Sequence, residues 1–164
     1  MAPKILAGRY TASFDEPVVV FVIGMRINAF LKVGKWLPVA RAMGPMIAEL
    51  SARPDSGFLG AEFMLRNLRT VVLLQYWRDF DSLEAYARDR DQSHWPAWTA
   101  YNKTIGNSGT VGVFHETYCV PRGGFETIYA NTVPFGLGAI AGVVAATGSR
   151  SEARSRLRAM PENL

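Results

Sequence analysis

Cysteine is almost absent from the 164 residues: Cys119 stands alone. That excludes a disulfide framework within one copy of the chain and makes a reducing cytoplasm the expected compartment. Histidine is nearly as scarce, with only His94 and His115. Long apolar runs are missing too. The longest uncharged apolar stretches, residues 17–25 and 134–147, fall short of the roughly 20 residues that a membrane-spanning helix needs. The opening MAPKILAGRY lacks the apolar segment of a signal peptide, so a soluble protein is expected. No phosphate loop, dinucleotide glycine fingerprint, Cys/His metal spacing or GxSxG elbow occurs. The net charge is only +4, and Arg150, Arg154, Arg156 and Arg158 supply much of it as a solvated tail. Without an aromatic-plus-basic motif, neither nucleic acid nor a membrane is an expected partner.

What remains is an ordinary globular composition, about half apolar and a fifth charged. We expect one domain over residues 1–147 and a basic, flexible tail over 148–164. Residues 9–12 read as a polar lead-in. Residues 18–27, VVVFVIGMRI, are β-branched and apolar at both parities, as in a central strand covered on both faces. Trp36, Ala40, Met43, Ile47 and Leu50 share one face of a helix over 35–52, with a kink or break expected at Gly44-Pro45. Two strands, 58–64 and 70–77, flank a hairpin connection at 66–69. A second helix starts near Phe80 behind an Asp79 or Asp81 cap, and Pro96 should interrupt it. A strand over 110–120, a turn at 121–124 and a strand over 125–130 follow, then a glycine-rich loop to Thr147. The order β-α-β-β-α-β is that of the ferredoxin-like fold. Helices cover one sheet face in that fold, so strands apolar on both faces call for a second sheet. A homodimer closing a dimeric α/β barrel is the simplest source.

The two histidines are the natural candidates for chemistry. His94 falls at the junction of two helical pieces and His115 inside an alternating strand, an arrangement that can aim two imidazoles at one space. Glu62 or Glu116 could complete a zinc site with them. Arg26 and Asn28 leave the end of the first long strand.

A resemblance adds to this. Arg26-Ile27-Asn28, Lys35-Trp36-Leu37-Pro38-Val39, Gly57-Phe58-Leu59-Gly60, Gln75-Tyr76-Trp77-Arg78 and His115-Glu116-Thr117-Tyr118 resemble the bacterial and fungal monooxygenase-like family that includes the stand-alone dimeric-barrel monooxygenase of fumagillin biosynthesis. More locally, Leu83-Glu84-Ala85-Tyr86-Ala87, Ser93-His94-Trp95-Pro96-Ala97-Trp98 and Phe114-His115-Glu116 are similar to the haem-containing aldoxime dehydratases. That second resemblance implies His94 as proximal haem ligand and His115 as distal acid–base group. Arg26 is added by chemistry alone, and Glu116 as neighbour, although a regular strand points it to the other face. Trp98, Tyr101 and Phe114 would line the haem slot, and Trp77, Asn28 and Glu62 would meet a small apolar substrate. The expected function is a haem-binding, monooxygenase-like oxidoreductase. A haem-dependent aldoxime dehydratase-type lyase, a cofactor-free monooxygenase and a non-enzymatic carrier of haem or another small ligand are the alternatives.

Overall fold

The computed structural model describes residues 4–91 and 94–157, and the side chains of His94, Ala97 and Thr104 lie outside that description. The chain divides into two compact units, one formed by Val20–Tyr118 and the other by Met1–Val19 with Cys119–Leu164.

The first unit holds the ferredoxin-like pattern. Its elements are β2 (Val18–Ile27), α1 (Val33–Ser51), β3 (Phe58–Asn67), β4 (Thr70–Trp77), α2 (Phe80–Arg88), α3 (His94–Thr104) and β5 (Val111–Val120). The sheet order is β3-β4-β2-β5, so the two strands that precede helices lie inside and the two that follow them form the edges. Strand alternation sorts side chains to two faces. Met25 and Ile27 of β2 and Val111 of β5 join Ile105 in a buried core, against which Trp36, Val39, Ala40, Val71 and Tyr101 pack. This is the helix-bearing face. On the opposite face Gly24 lies under the Phe114 ring, and a Cβ there would also come within 2.7 Å of the Val71 carbonyl oxygen.

Of the kink or break expected at Gly44-Pro45, the break does not occur: α1 runs on to Ser51. Gly44, Pro45 and Arg41 are all exposed. This stretch lies on the solvent side of the helix, where water can replace the bond that Pro45 cannot donate. The second helical stretch is interrupted earlier than Pro96: α2 stops at Arg88 and α3 starts at His94. Pro96 then lies in the first turn of α3, where no intrahelical donor is needed. Asp79 caps α2, accepting from the Ser82 amide at 2.7 Å.

The second unit is a three-stranded sheet in the order β6-β1-β7, formed by β1 (Leu6–Ala12), β6 (Tyr129–Thr132) and β7 (Val143–Ala145), with a short helix α4 (Leu137–Ala141). The central strand β1 pairs antiparallel on both sides, Tyr10 opposite Tyr129 and Thr11 opposite Val144. Three expectations change here. Residues 9–12 are strand rather than lead-in, the strand expected at 125–130 sits at Tyr129–Thr132, and the glycine-rich loop contains α4 and β7. The described part of the expected tail also carries structure, including α5 (Ala153–Arg156). Arg156, whose side chain is only 6 % exposed, donates to Glu126 and to the carbonyls of Arg150 and Ser151.

Candidate active site

The helix-bearing face of the first unit carries a half-open cavity of about 410 Å³. Ile23 of β2 and Val113 of β5 form its sheet side. Helix α1 contributes Pro38, Val39, Ala42, Met43 and Met46, one turn apart along a single stripe. Helix α3 closes it with Trp95, Trp98 and Tyr101. Trp98 and Tyr101 stack nearly parallel, 5.4 Å between ring centres and 11° between planes. The Tyr101 hydroxyl is committed to the Val111 carbonyl at 3.0 Å, so it braces the wall rather than entering the space. Lys35, exposed on the first turn of α1, is the one charged lining residue among the described residues. A volume of this size with aliphatic and aromatic walls suits a small organic molecule.

His115 stands two residues beyond Val113 on the same side of β5, so it shares the cavity's sheet face without lining the cavity. Its ring lies 5.6 Å from that of Phe21, and it is exposed. His94 is the first residue of α3, one position before Trp95. Its side chain lies outside the described residues.

The other candidates separate from this space. Arg26 is on the opposite sheet face, donating to Thr70 Oγ1 at 3.2 Å. Asn28 donates to the Gly109 carbonyl at 2.9 Å and so holds a loop. Phe114 covers Gly24 on that same opposite face, not a slot beside Trp98. Glu62 sits opposite Leu74, also away from the helices. Glu116 accepts from the Tyr118 hydroxyl, and this hydrogen bond, followed by the carboxylate's charge, pushes the phenol pKa upward. Neither glutamate can join His115 around one zinc ion, and the described residues hold no group of three or more metal-binding side chains. Trp77 is fully buried, its indole donating to Gln75 Oε1 at 3.0 Å between Phe58 and Tyr86. It is core and meets no substrate. Strand alternation accounts for Arg26, Phe114, Glu62 and Glu116, which point to the face away from the helices, whereas burial removes Trp77.

The sequence profile of the monooxygenase af470-like family matches residues 18–137. The chain belongs to that family. It is 31 % identical over 155 residues to Monooxygenase af470 of Aspergillus fumigatus (strain ATCC MYA-4609 / CBS 101355 / FGSC A1100 / Af293), an alignment covering 82 % of this chain and 54 % of that protein. This af470-like chain thus spans about half the length of the curated relative it matches. Among solved structures, an aldoxime dehydratase superposes with a TM-score of 0.65 at 16 % identity, covering 90 % of this chain and 44 % of that one. That likeness is one of fold. The cofactor-independent oxygenase SnoaB from Streptomyces nogalater matches with a TM-score of 0.45 at 14 % identity, over 65 % of this chain and 95 % of its own.

The af470-like site includes residues that sequence reasoning passed over: Lys35, Ile23, Met46, Trp95 and Val113. The signal for the helical ones was present. Trp95, Trp98, Tyr101 and Ile105 recur at helical spacing, and the α1 stripe runs beside them.

Proposed function

We propose that this af470-like chain is an oxidoreductase of the monooxygenase type that binds a small apolar organic molecule between α1, α3 and the sheet. The observation that carries this reading is the apolar cavity of about 410 Å³, whose wall holds one charged residue among those described. His115 serves as the acid–base group at its edge. The test uses N-phenyl-1-naphthylamine, a neutral dye that brightens in apolar surroundings. It should bind the native chain, and Ala42→Trp, which fills the cavity, should weaken binding by roughly tenfold or more. With a substrate found by oxygen uptake, His115→Asn should lower turnover by about 10²-fold or more while binding holds. Unchanged dye binding in the filled variant would remove the cavity from the function.

A second reading gives the same cavity a haem. The lining fits the group chemically: its walls are apolar, Trp98 and Tyr101 present flat rings, and Lys35 offers a cation for a propionate. His94, at the head of the helix that carries Trp95 and Trp98, would be the residue to hold the iron. Bound haem would supply the iron-centred redox or Lewis-acid chemistry. The chain's own part is to exclude water through the α1 and α3 walls and to move a proton at a His115 ring nitrogen. Haem titration should then give a Soret band that His94→Ala abolishes. Nitrile formation from an aldoxime under reducing conditions would mark the lyase variant, and a Soret band without turnover the carrier.

Homodimerisation is part of the proposal. Val22, Val72 and Leu74 stay half-buried and Phe114 exposed on the sheet face away from the helices, where a second copy would complete the barrel.

A further inference from the structure

At one end of the ferredoxin-like unit three segments are tied together. The Ile27 amide donates to the Arg69 carbonyl at 2.7 Å, and the Asn28 and Ala29 amides both donate to the Thr110 carbonyl. Arg69 lies over the Phe30 ring and also reaches the Asn28 carbonyl. The Trp36 indole fixes the Phe30 carbonyl at 2.9 Å. The loop after β2 and the β3–β4 turn are therefore held together, yet each ends in a bare leucine: Leu31 is 94 % exposed and Leu68 is 83 % exposed. Phe30 and Val33 flank them, 44 % and 46 % exposed.

The segments that carry and adjoin these tips hold charge of one sign. Residues 26–35, 66–70 and 103–110 contain Arg26, Lys32, Lys35, Arg66, Arg69 and Lys103, all exposed, and no aspartate or glutamate. Protruding aliphatic tips are a poor match for nucleic acid, which asks for stacking platforms or groove-reading polar groups. They suit a bilayer, where leucines enter the headgroup boundary and lysines and arginines meet anionic phosphates. Neither signal alone gives stable attachment, and this end carries both.

We propose that this end of the unit docks peripherally on an anionic lipid surface, through Leu31 and Leu68 with Lys32 and Arg66 beside them. This goes beyond the sequence expectation, which named no membrane partner. No helix among the described residues is long and apolar enough to cross a bilayer. Lys35 belongs both to this rim and to the cavity wall, which places the cavity beside the lipid.

The test is co-sedimentation of the full chain with vesicles of phosphatidylcholine alone or with about a third phosphatidylglycerol. Binding to the anionic vesicles is expected, falling by roughly tenfold or more at high salt. L31E/L68E should abolish it, and K32E/R66E should weaken it to the level of the neutral vesicles, with melting temperature and sedimentation coefficient unchanged in both. Equal binding to neutral and anionic vesicles, or binding that survives both double variants, overturns the proposal. So does a shift of oligomeric state in L31E/L68E, which would make the tips an interface between copies. Oligonucleotide binding that outlasts L31E/L68E would reassign the basic rim to nucleic acid.

Discussion

Trp77 shows what burial decides at the scale of one residue. An aromatic side chain near a suspected site reads equally well as substrate contact or as packing until its exposure is known. Here the ring is wholly enclosed, its one polar atom is satisfied by Gln75, and Phe58 and Tyr86 flank it. Removing such a ring loses both transfer free energy and packing. Trp77→Ala should therefore cost about 3–5 kcal/mol in urea unfolding. Trp98→Ala, at a ring that is 49 % exposed on the cavity wall, should cost much less and act on ligand binding instead. The same alternation that hides Trp77 separates His115 from Glu116. The sequence could show the parity of each residue but not which parity the helices cover.

Among the elements, legibility followed the range of the interactions that make each one. β2, β4 and β5 carry enough apolar and β-branched residues to be read locally, and α1 and α3 enough helical periodicity. β1 does not: Leu6–Ala12 is a strand because residues 129–132 and 143–145 flank it, more than a hundred positions away. Nothing in LAGRYTA itself announces that pairing. Helix starts are legible when a side chain caps them, and α2 offers a pH test. Asp79 accepts from the Ser82 amide and from Arg78, and these bonds hold its carboxyl pKa at about 2 against an ordinary 3.8, the Ser82 bonds contributing most. The folded state binds the proton less readily than the unfolded one, so the cap contributes fully above pH 3.8 and fades as pH falls through about 2. The side chain is 45 % exposed, so solvent screens its pairing with Arg78 and the capping bond sets the scale. Asp79→Ala should cost about 1 kcal/mol at neutral pH, and the gap to the native chain should close in acid. A gap that stays constant down to pH 2 would remove the carboxylate from the explanation.

At the scale of the whole molecule, the sheet of the ferredoxin-like unit is the feature that asks for a partner. Its helix face is covered by α1, α3 and the core around Met25 and Ile105, with the cavity between them. Its other face carries Val22, Val72, Leu74 and Phe114, none of them fully buried, and β5 at the edge is exposed along most of its length. The sequence revealed the excess of apolar residues on both faces of β2, and so the need for cover, but no single chain can state whether a second copy supplies it. Sedimentation equilibrium should give twice the mass of one chain at micromolar concentration. Leu74→Glu places a carboxylate on that face directly opposite Glu62 on β3, where like charges repel and neither can be desolvated cheaply. It should shift the protein to monomer while the far-UV spectrum stays native, because Leu74 lies outside the helix-side core. A native chain that sediments as a monomer at tens of micromolar would mean the face is closed in some other way, and the barrel with it.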